Sequence, residues 1–202
     1  MAYQIIQVSR DDETIRKYVE RYKAFRLLAL KVAPLSFGST FKTESAFTDE
    51  MWYNRLANPQ AVTFLALHGD VVTGSLTAVG PLPFTPEELL FSGNPWTSLD
   101  GHVPEELTYS HWRVNGMFVS PEARGQGIAK ALMTRVLTFT KEEASRTGKE
   151  FAGSIIVDSD NLAAKTLYEK AGYVTIRGEE LGDDAGRTAL LMKYLPGQAK
   201  DN

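Results

Sequence analysis

The chain of 202 residues contains no cysteine. That absence removes disulfides, thiolate metal sites and a cysteine nucleophile together, so any transferred group must use another nucleophile or pass directly from donor to acceptor. Long apolar runs are missing as well: no stretch approaches the roughly 20 apolar residues of a membrane span. Residues 1–12 lack the basic region followed by an apolar core that marks a secretory signal. Nor is there an excess of basic charge. A formal net charge of -3 and a pI near 5.7 disfavour nucleic acid as the main partner, because phosphate backbones reward basic surfaces. No internal repeat and no low-complexity tail are found. The expectation is a cytoplasmic protein with no metal, nucleic-acid or membrane partner.

What is present reads as an ordinary globular chain, 43% apolar and 23% charged, long enough to bury a sizeable core as a single domain over 1–202. Residues 3–8 suggest an opening strand. Ser9, Asp11 and Asp12 offer caps for a helix running to about Val32, with Ile15, Tyr18, Val19, Tyr22, Phe25 and Ala29 on one face. Pro34 and Gly38 break that pattern, and Thr48-Asp49 opens a shorter helix that ends before Pro59. Residues 62–67 and 71–79 flank His68-Gly69-Asp70, a hairpin signature. Residues 80–104 hold five of the nine prolines (Pro81, Pro83, Pro86, Pro95, Pro104), which marks an irregular insertion at about 80–110. Phe84, Leu89, Leu90, Phe91, Trp96 and Leu99 would either pin it to the body or meet a ligand. A central strand over 111–119, a helix to about Ala144 and a strand over 151–157 form a β-α-β crossover with parallel strands. A helix lined by Leu162, Leu167 and Ala171 follows, then strands over 173–177 and 188–194 joined by a turn-rich connection.

The crossover contains the most informative stretch. Gly116-Met117-Phe118-Val119 is apolar, Ser120-Pro121-Glu122-Ala123 is turn chemistry, and Arg124-Gly125-Gln126-Gly127-Ile128-Ala129-Lys130 opens the helix carrying Leu132, Val136 and Phe139. A helix start leaves about four backbone N–H groups unpaired at the positive end of the dipole, which suits a phosphate. Gly125 and Gly127 let a ligand approach the backbone, and Arg124 adds a charge. Taken alone, the motif is equally compatible with a loop that needed glycines to turn.

The order glycine, four residues, glycine, lysine, serine or threonine does not occur, which disfavours a P-loop. A dinucleotide fold would want Gly or Ala where Lys130 stands and an acidic residue about 20 positions on, whereas Asp158 lies 31 positions after Gly127. Arg124-Gly125-Gln126-Gly127-Ile128-Ala129 instead resembles the signature of the GCN5-related N-acetyltransferase (GNAT) superfamily: Arg or Gln, two variable residues, Gly, one variable residue, Gly or Ala. Residues 161–173, with Asn161, Ala164, Tyr168, Gly172 and Tyr173, resemble the family's Asn, Ala, Tyr, Gly, aromatic series. Both occur in the right order and context, and the resemblance covers most of the chain except about 80–110.

The resemblance implies an α/β fold with a central twisted mixed sheet of about six to seven strands flanked by helices, its parallel central strands splayed at a bulge. It implies acetyl-CoA as donor. The pantetheine arm would lie along Met117, Phe118 and Val119, and the pyrophosphate on the amides of Gly125, Gln126, Gly127, Ile128, Ala129 and Lys130 beside Arg124. Asn161, with Ala164, would contact the arm, and Tyr168 would protonate the departing thiolate. Asn161 and Tyr168 lie seven positions apart, two helical turns, which places them on one face. A phenol with pKa about 10 is able to donate to a thiolate whose conjugate acid lies near 8.5. A backbone N–H of the strand bulge, Phe118 or Val119, would stabilise the oxyanion.

The implied reaction is direct transfer of the acetyl group to a primary amine of a small molecule or peptide. At the position of the family's glutamate base stands Arg113, on one strand face with His111 and Asn115. His111 has the right intrinsic pKa for a base; Glu44, Glu105 and Glu106 are further candidates. Arg113 would serve an acceptor carboxylate or an internal ion pair. By resemblance the acceptor meets the segment between the first two helices, 35–44, with Phe37, Phe41 and Glu44, and the insertion before Trp112; Arg113 and Asn115 on the central strand are further acceptor candidates. The protein would act as a monomer or homodimer. A non-catalytic acyl-CoA-binding or regulatory module is the alternative reading, and a nucleotide-binding protein the third.

Overall fold

A computed structural model describes residues 3–82, 109–180 and 187–195. Most of the proline-rich insertion, with its six aromatic and leucine positions and with Glu105 and Glu106, lies outside the described residues. The first helix, α1 (Asp12–Val32), starts where the capping chemistry predicts, because the Asp11 side chain accepts from the Thr14 N–H at 2.8 Å. Its apolar face buries Ile15, Tyr22, Phe25 and Ala29. A 3-10 turn (Pro34–Ser36) and a five-residue helix, α2 (Phe41–Ser45), follow before α3 (Asp49–Ala57), which Thr48 caps. The later helices are α4 (Ile128–Arg146) and α5 (Leu162–Lys170).

The strands are β1 (Gln4–Gln7), β2 (Ala61–His68), β3 (Val71–Val79), β4 (Tyr109–Val119), β5 (Glu150–Asp158), β6 (Tyr173–Glu180) and β7 (Thr188–Tyr194). They form one seven-stranded mixed sheet in the order β1-β2-β3-β4-β5-β7-β6. The crossover pairs β4 and β5 in parallel, Tyr109 with Glu150 through Val114 with Ile155, as the β-α-β pattern predicts. β7 then inserts antiparallel between β5 and β6.

By packing, the chain divides into two units: Met1–Ala78 with Gly116–Val136, and Val79–Asn115 with Leu137–Asn202. In the first, Phe64, Leu65 and Ala66 of β2 have no exposed surface, and Trp52 and Ile15 fill the space between helices and strands. Gly74 of β3 matters for the loop that follows β4. A Cβ there would lie 3.0 Å from Ile128 Cγ2 and 3.2 Å from Leu132 Cδ1, so the start of α4 rests closely on the sheet at this glycine and a side chain would have to displace both. In the second unit, Trp112 meets Phe139 edge-on at 5.8 Å, and Tyr194 packs against Phe151 and Tyr173.

Three local features differ from the sequence pattern. Leu162 does not line the inner side of α5; it sits at the first helical position with 67% of its surface exposed, and Tyr168 takes the buried place. β6 runs to Glu180, past the expected end at Arg177, since backbone pairing with β7 continues through Gly178↔Leu190 and Glu180↔Thr188. α2 has no counterpart among the elements that the spacing predicts.

Candidate active site

The first unit presents the loop. β4 leaves extended geometry at Gly116, where φ is +65°, and the Gly116 carbonyl accepts from Ser75 Oγ at 3.3 Å. Met117 and Val119 are half-buried, while the Phe118 ring is buried between Phe25 at 5.6 Å and Phe37 at 6.2 Å. The Ser120 N–H donates to the Thr73 carbonyl at 2.9 Å, which ties the end of the strand to β3. A 3-10 turn (Pro121–Ala123) then leads to Arg124, whose Nε donates to the Val119 carbonyl at 3.2 Å and whose guanidinium lies 5.8 Å from the Phe118 ring centre.

Gly125 and Gly127 take φ of +77° and +79°, the left-handed region that side chains other than glycine adopt at a cost. Arg124, Gly125, Gln126, Gly127 and Lys130 are exposed, Ala129 is half-buried, and Ile128 is buried as the anchor of the turn. The Gly127 carbonyl accepts the first helical bond, from Ala131 N–H at 3.0 Å, so the amides ahead of Ala131 open the helix without a carbonyl of α4 to receive them. A Cβ built on Gly125 meets nothing within 4 Å, and one on Gly127 meets the Tyr3 hydroxyl at 3.8 Å. The loop therefore combines amide donors, a positive dipole end and room for a ligand.

The remaining candidates of this unit lie between α1 and α3. Phe37 is half-buried, with the Arg26 guanidinium 4.4 Å from its centre, and Phe41 is half-buried, with Lys31 Nζ at 4.3 Å. Glu44 has no exposed surface, and both its oxygens are held by Arg26 and Arg55. Burial alone would raise its pKa, but hydrogen bonds and charge from the two arginines overcome that and bring it down to about 2.

In the second unit, His111 is 3% exposed, and its Nε2 lies 2.7 Å from Ser154 Oγ. Burial, with the charges of Arg113 and Lys193 adding to it, lowers its pKa to about 3. Arg113 is half-buried and Asn115 exposed. Asn161 caps α5: its Oδ1 accepts from the Ala164 N–H at 3.1 Å, so the cap occupies both the Asn161 oxygen and the Ala164 amide and leaves the Asn161 NH2 as donor. Tyr168 is 6% exposed, and burial raises its phenol well above the ordinary value. The Arg26 and Arg55 partners of Glu44 and the Ser154 partner of His111 have no signal in the chain, because each depends on packing between distant segments.

Among the described residues no group of three or more His, Cys, Asp or Glu is arranged to hold a metal ion, and no helix is long and apolar enough to cross a membrane.

The geometry has counterparts in known proteins. A stretch of the chain is 37% identical over 94 residues to a mycothiol acetyltransferase of Streptomyces scabiei (strain 87.22), covering 46% of this chain and 26% of that protein, so the match spans about a quarter of the relative's length. Among solved structures, an acetyltransferase of the GNAT family from Streptococcus pneumoniae superposes with a TM-score of 0.66 at 16% identity, over 97% of this chain and 100% of that one. Arabidopsis thaliana NAA60 in complex with acetyl-CoA superposes at 0.65 and 16% identity, over 96% and 98% of the two chains. The ribosomal-protein-S18-alanine N-acetyltransferase from Escherichia coli gives 0.55 at 11% identity, over 100% and 98%. The model of the acetyltransferase (GNAT) family matches residues 28–173, well over half of the sequence, and the chain belongs to that family.

Proposed function

We propose that the protein is an acetyl-CoA-dependent N-acetyltransferase whose acceptor is a primary amine of a small molecule or peptide. The observation that carries this reading is the exposed loop at Arg124–Lys130, with two left-handed glycines opening onto free helix amides. A pyrophosphate fits these donors, each charge-assisted contact contributing on the order of 1.5 to 3 kcal/mol. The complex of Arabidopsis NAA60 with acetyl-CoA, on the same fold, supports the choice of ligand. When bound, acetyl-CoA supplies a thioester carbonyl open to attack by an amine.

The chain's own groups divide the remaining work. Backbone groups of Met117, Phe118 and Val119 hold the pantetheine arm, together with the Asn161 NH2 and the Ala164 segment, and the Phe118 N–H stabilises the oxygen that becomes negative. As the C–N bond forms and the C–S bond breaks, the Tyr168 hydroxyl gives its proton to the departing sulfur. Burial keeps that phenol protonated, so it enters the reaction as a donor; a thiolate in the same apolar surroundings has its own affinity for the proton raised. His111 is a poor acceptor for the ammonium proton. With its pKa near 3, transfer from an amine near 10.4 is uphill by roughly 10 kcal/mol, so the proton is assigned to water, and His111 to fixing Ser154. Phe37, Phe41, Arg113 and Asn115 are assigned to the acceptor. The protein acts in the cytoplasm as a monomer or homodimer.

Amine-dependent release of thiol from acetyl-CoA tests this. Tyr168→Phe is expected to lower kcat by roughly 10²- to 10⁴-fold and to leave the acetyl-CoA KM within about twofold. Coenzyme A binding with no amine-dependent release by the wild type would point instead to a non-catalytic acyl-CoA-binding module.

A further inference from the structure

Glu44 is a fully buried carboxylate that the proposed chemistry does not use. Arg26 of α1 donates from Nη2 to Oε1 at 2.7 Å and from Nε to Oε2 at 3.0 Å. Arg55 of α3 donates from Nη1 to Oε2 at 2.6 Å and from Nη2 to Oε1 at 3.4 Å. Two guanidinium forks therefore grip one carboxylate on α2, and three helices meet at a single charged point. Such a triad adds little net stability over an apolar core, because the desolvation of three charges offsets their attraction. What it does supply is direction, since a guanidinium held through two N–H groups has a fixed plane.

That plane has a target. The Arg26 guanidinium lies 4.4 Å from the centre of the Phe37 ring, and Phe37 meets Phe118 edge-on at 6.2 Å and 60°. Phe118 belongs to the end of β4, which also carries the proposed oxyanion donor. The series Glu44, Arg26, Phe37, Phe118 thus links the buried carboxylate to the reacting strand through contacts within one unit. On the other side, Arg55 lies 5.3 Å from the Trp52 ring centre, and a hydrogen bond joins it to Tyr22, so neither fork is free to swing.

We propose that Glu44 is a positioning residue for the acceptor: by holding Arg26 against Phe37 it fixes the segment 34–45 against the end of β4 and so sets how the amine is received. The inference rests on the reading of the protein as an amine acetyltransferase, and it separates from a purely structural clamp by which kinetic constant moves. A clamp lowers the melting temperature alone; a positioning residue raises the acceptor KM in a protein that is still folded.

The test compares the wild type with Glu44→Gln, which keeps the shape and removes the charge, and Arg26→Lys, which keeps the charge and removes the planar fork. Both are expected to raise the acceptor KM about tenfold and to leave the acetyl-CoA KM within about twofold. Without any substrate, amide hydrogen exchange over 34–45 and 116–119 is expected to quicken in both variants. Should Glu44→Gln fail to fold, Arg26→Lys carries the comparison. An unchanged acceptor KM in a folded variant, equal rises in both KM values, or unaltered exchange in those two segments would overturn the proposal. The exchange readout needs no activity: a wild type that acetylates no amine removes the functional reading, while the exchange result still decides whether Glu44 fixes the segment.

Discussion

At the scale of single residues, His111 and Glu44 are buried titratable groups whose effects on stability fall in separate pH windows. His111 has a usual pKa of 6.5 and about 3 in the fold, so between those values the unfolded chain binds the extra proton. Its contribution is complete above about 6.5 and is lost as pH falls toward 3. Glu44 falls from 4.5 to about 2, so its contribution is complete above about 4.5 and is lost as pH falls toward 2. Urea unfolding as a function of pH is expected to show a decline from pH 6.5 to 5 that His111→Gln flattens and Glu44→Gln leaves in place, each proton giving at most about 1.4 kcal/mol per pH unit. An unaltered slope in His111→Gln would contradict the burial account. The chain identifies His111 by its intrinsic pKa alone. What sets its basicity is burial among strands, beside Ser154, which lies 43 positions away on the neighbouring strand. The partners of Glu44 lie 18 and 11 positions from it on two other helices, and no local pattern records how three helices meet.

At the scale of elements, the first turn of α4 that the proposed loop leads into packs closely beside Gly74 of β3. Gly74→Ala would press a methyl group on Ile128, Leu132 and Ala66, contacts of 3.0 to 3.2 Å from a packed core. The expected cost is about 1–3 kcal/mol, together with weaker binding of coenzyme A as the first turn of α4 shifts; thermal melting and calorimetric titration read the two effects. Full affinity in a destabilised variant would show that the helix start is not what holds the ligand. Long periodic elements are legible in the sequence: α1, α4 and the β2–β3 hairpin follow from apolar spacing and from caps or turn glycines. α2 is not, because five residues are too few for a helical period; its one local sign is Thr40, whose hydroxyl accepts from the Thr43 N–H at 3.1 Å. The polar end of β6 reads as a connection since side chains there give no strand pattern, while its backbone still pairs with β7 around a register shift between Thr175 and Arg177.

At the scale of the whole molecule, the parallel β4–β5 pair is legible from the crossover pattern, the family from two short signatures that lie within residues 28–173, and the central mixed sheet from what that resemblance implies. The proposed pyrophosphate loop is local in sequence: strand, turn, two glycines and a helix start lie in one run of residues, so spacing and turn chemistry make it legible as an anion site, and the second signature at 161–173 narrows the resemblance to one family. The residues proposed for the acceptor are less legible, because contacts such as Phe37 on Phe118 join segments far apart in the chain. On the proposed function, a donor held by the loop gives up its acetyl group to an amine. Mass spectrometry of the products after incubating the protein and acetyl-CoA with a mixed pool of primary amines and peptides tests it most directly. Acetylation at nitrogen of a subset of that pool, formed with the wild type and strongly reduced with Tyr168→Phe, is expected; coenzyme A bound to the protein alongside an unmodified pool would contradict the proposed function.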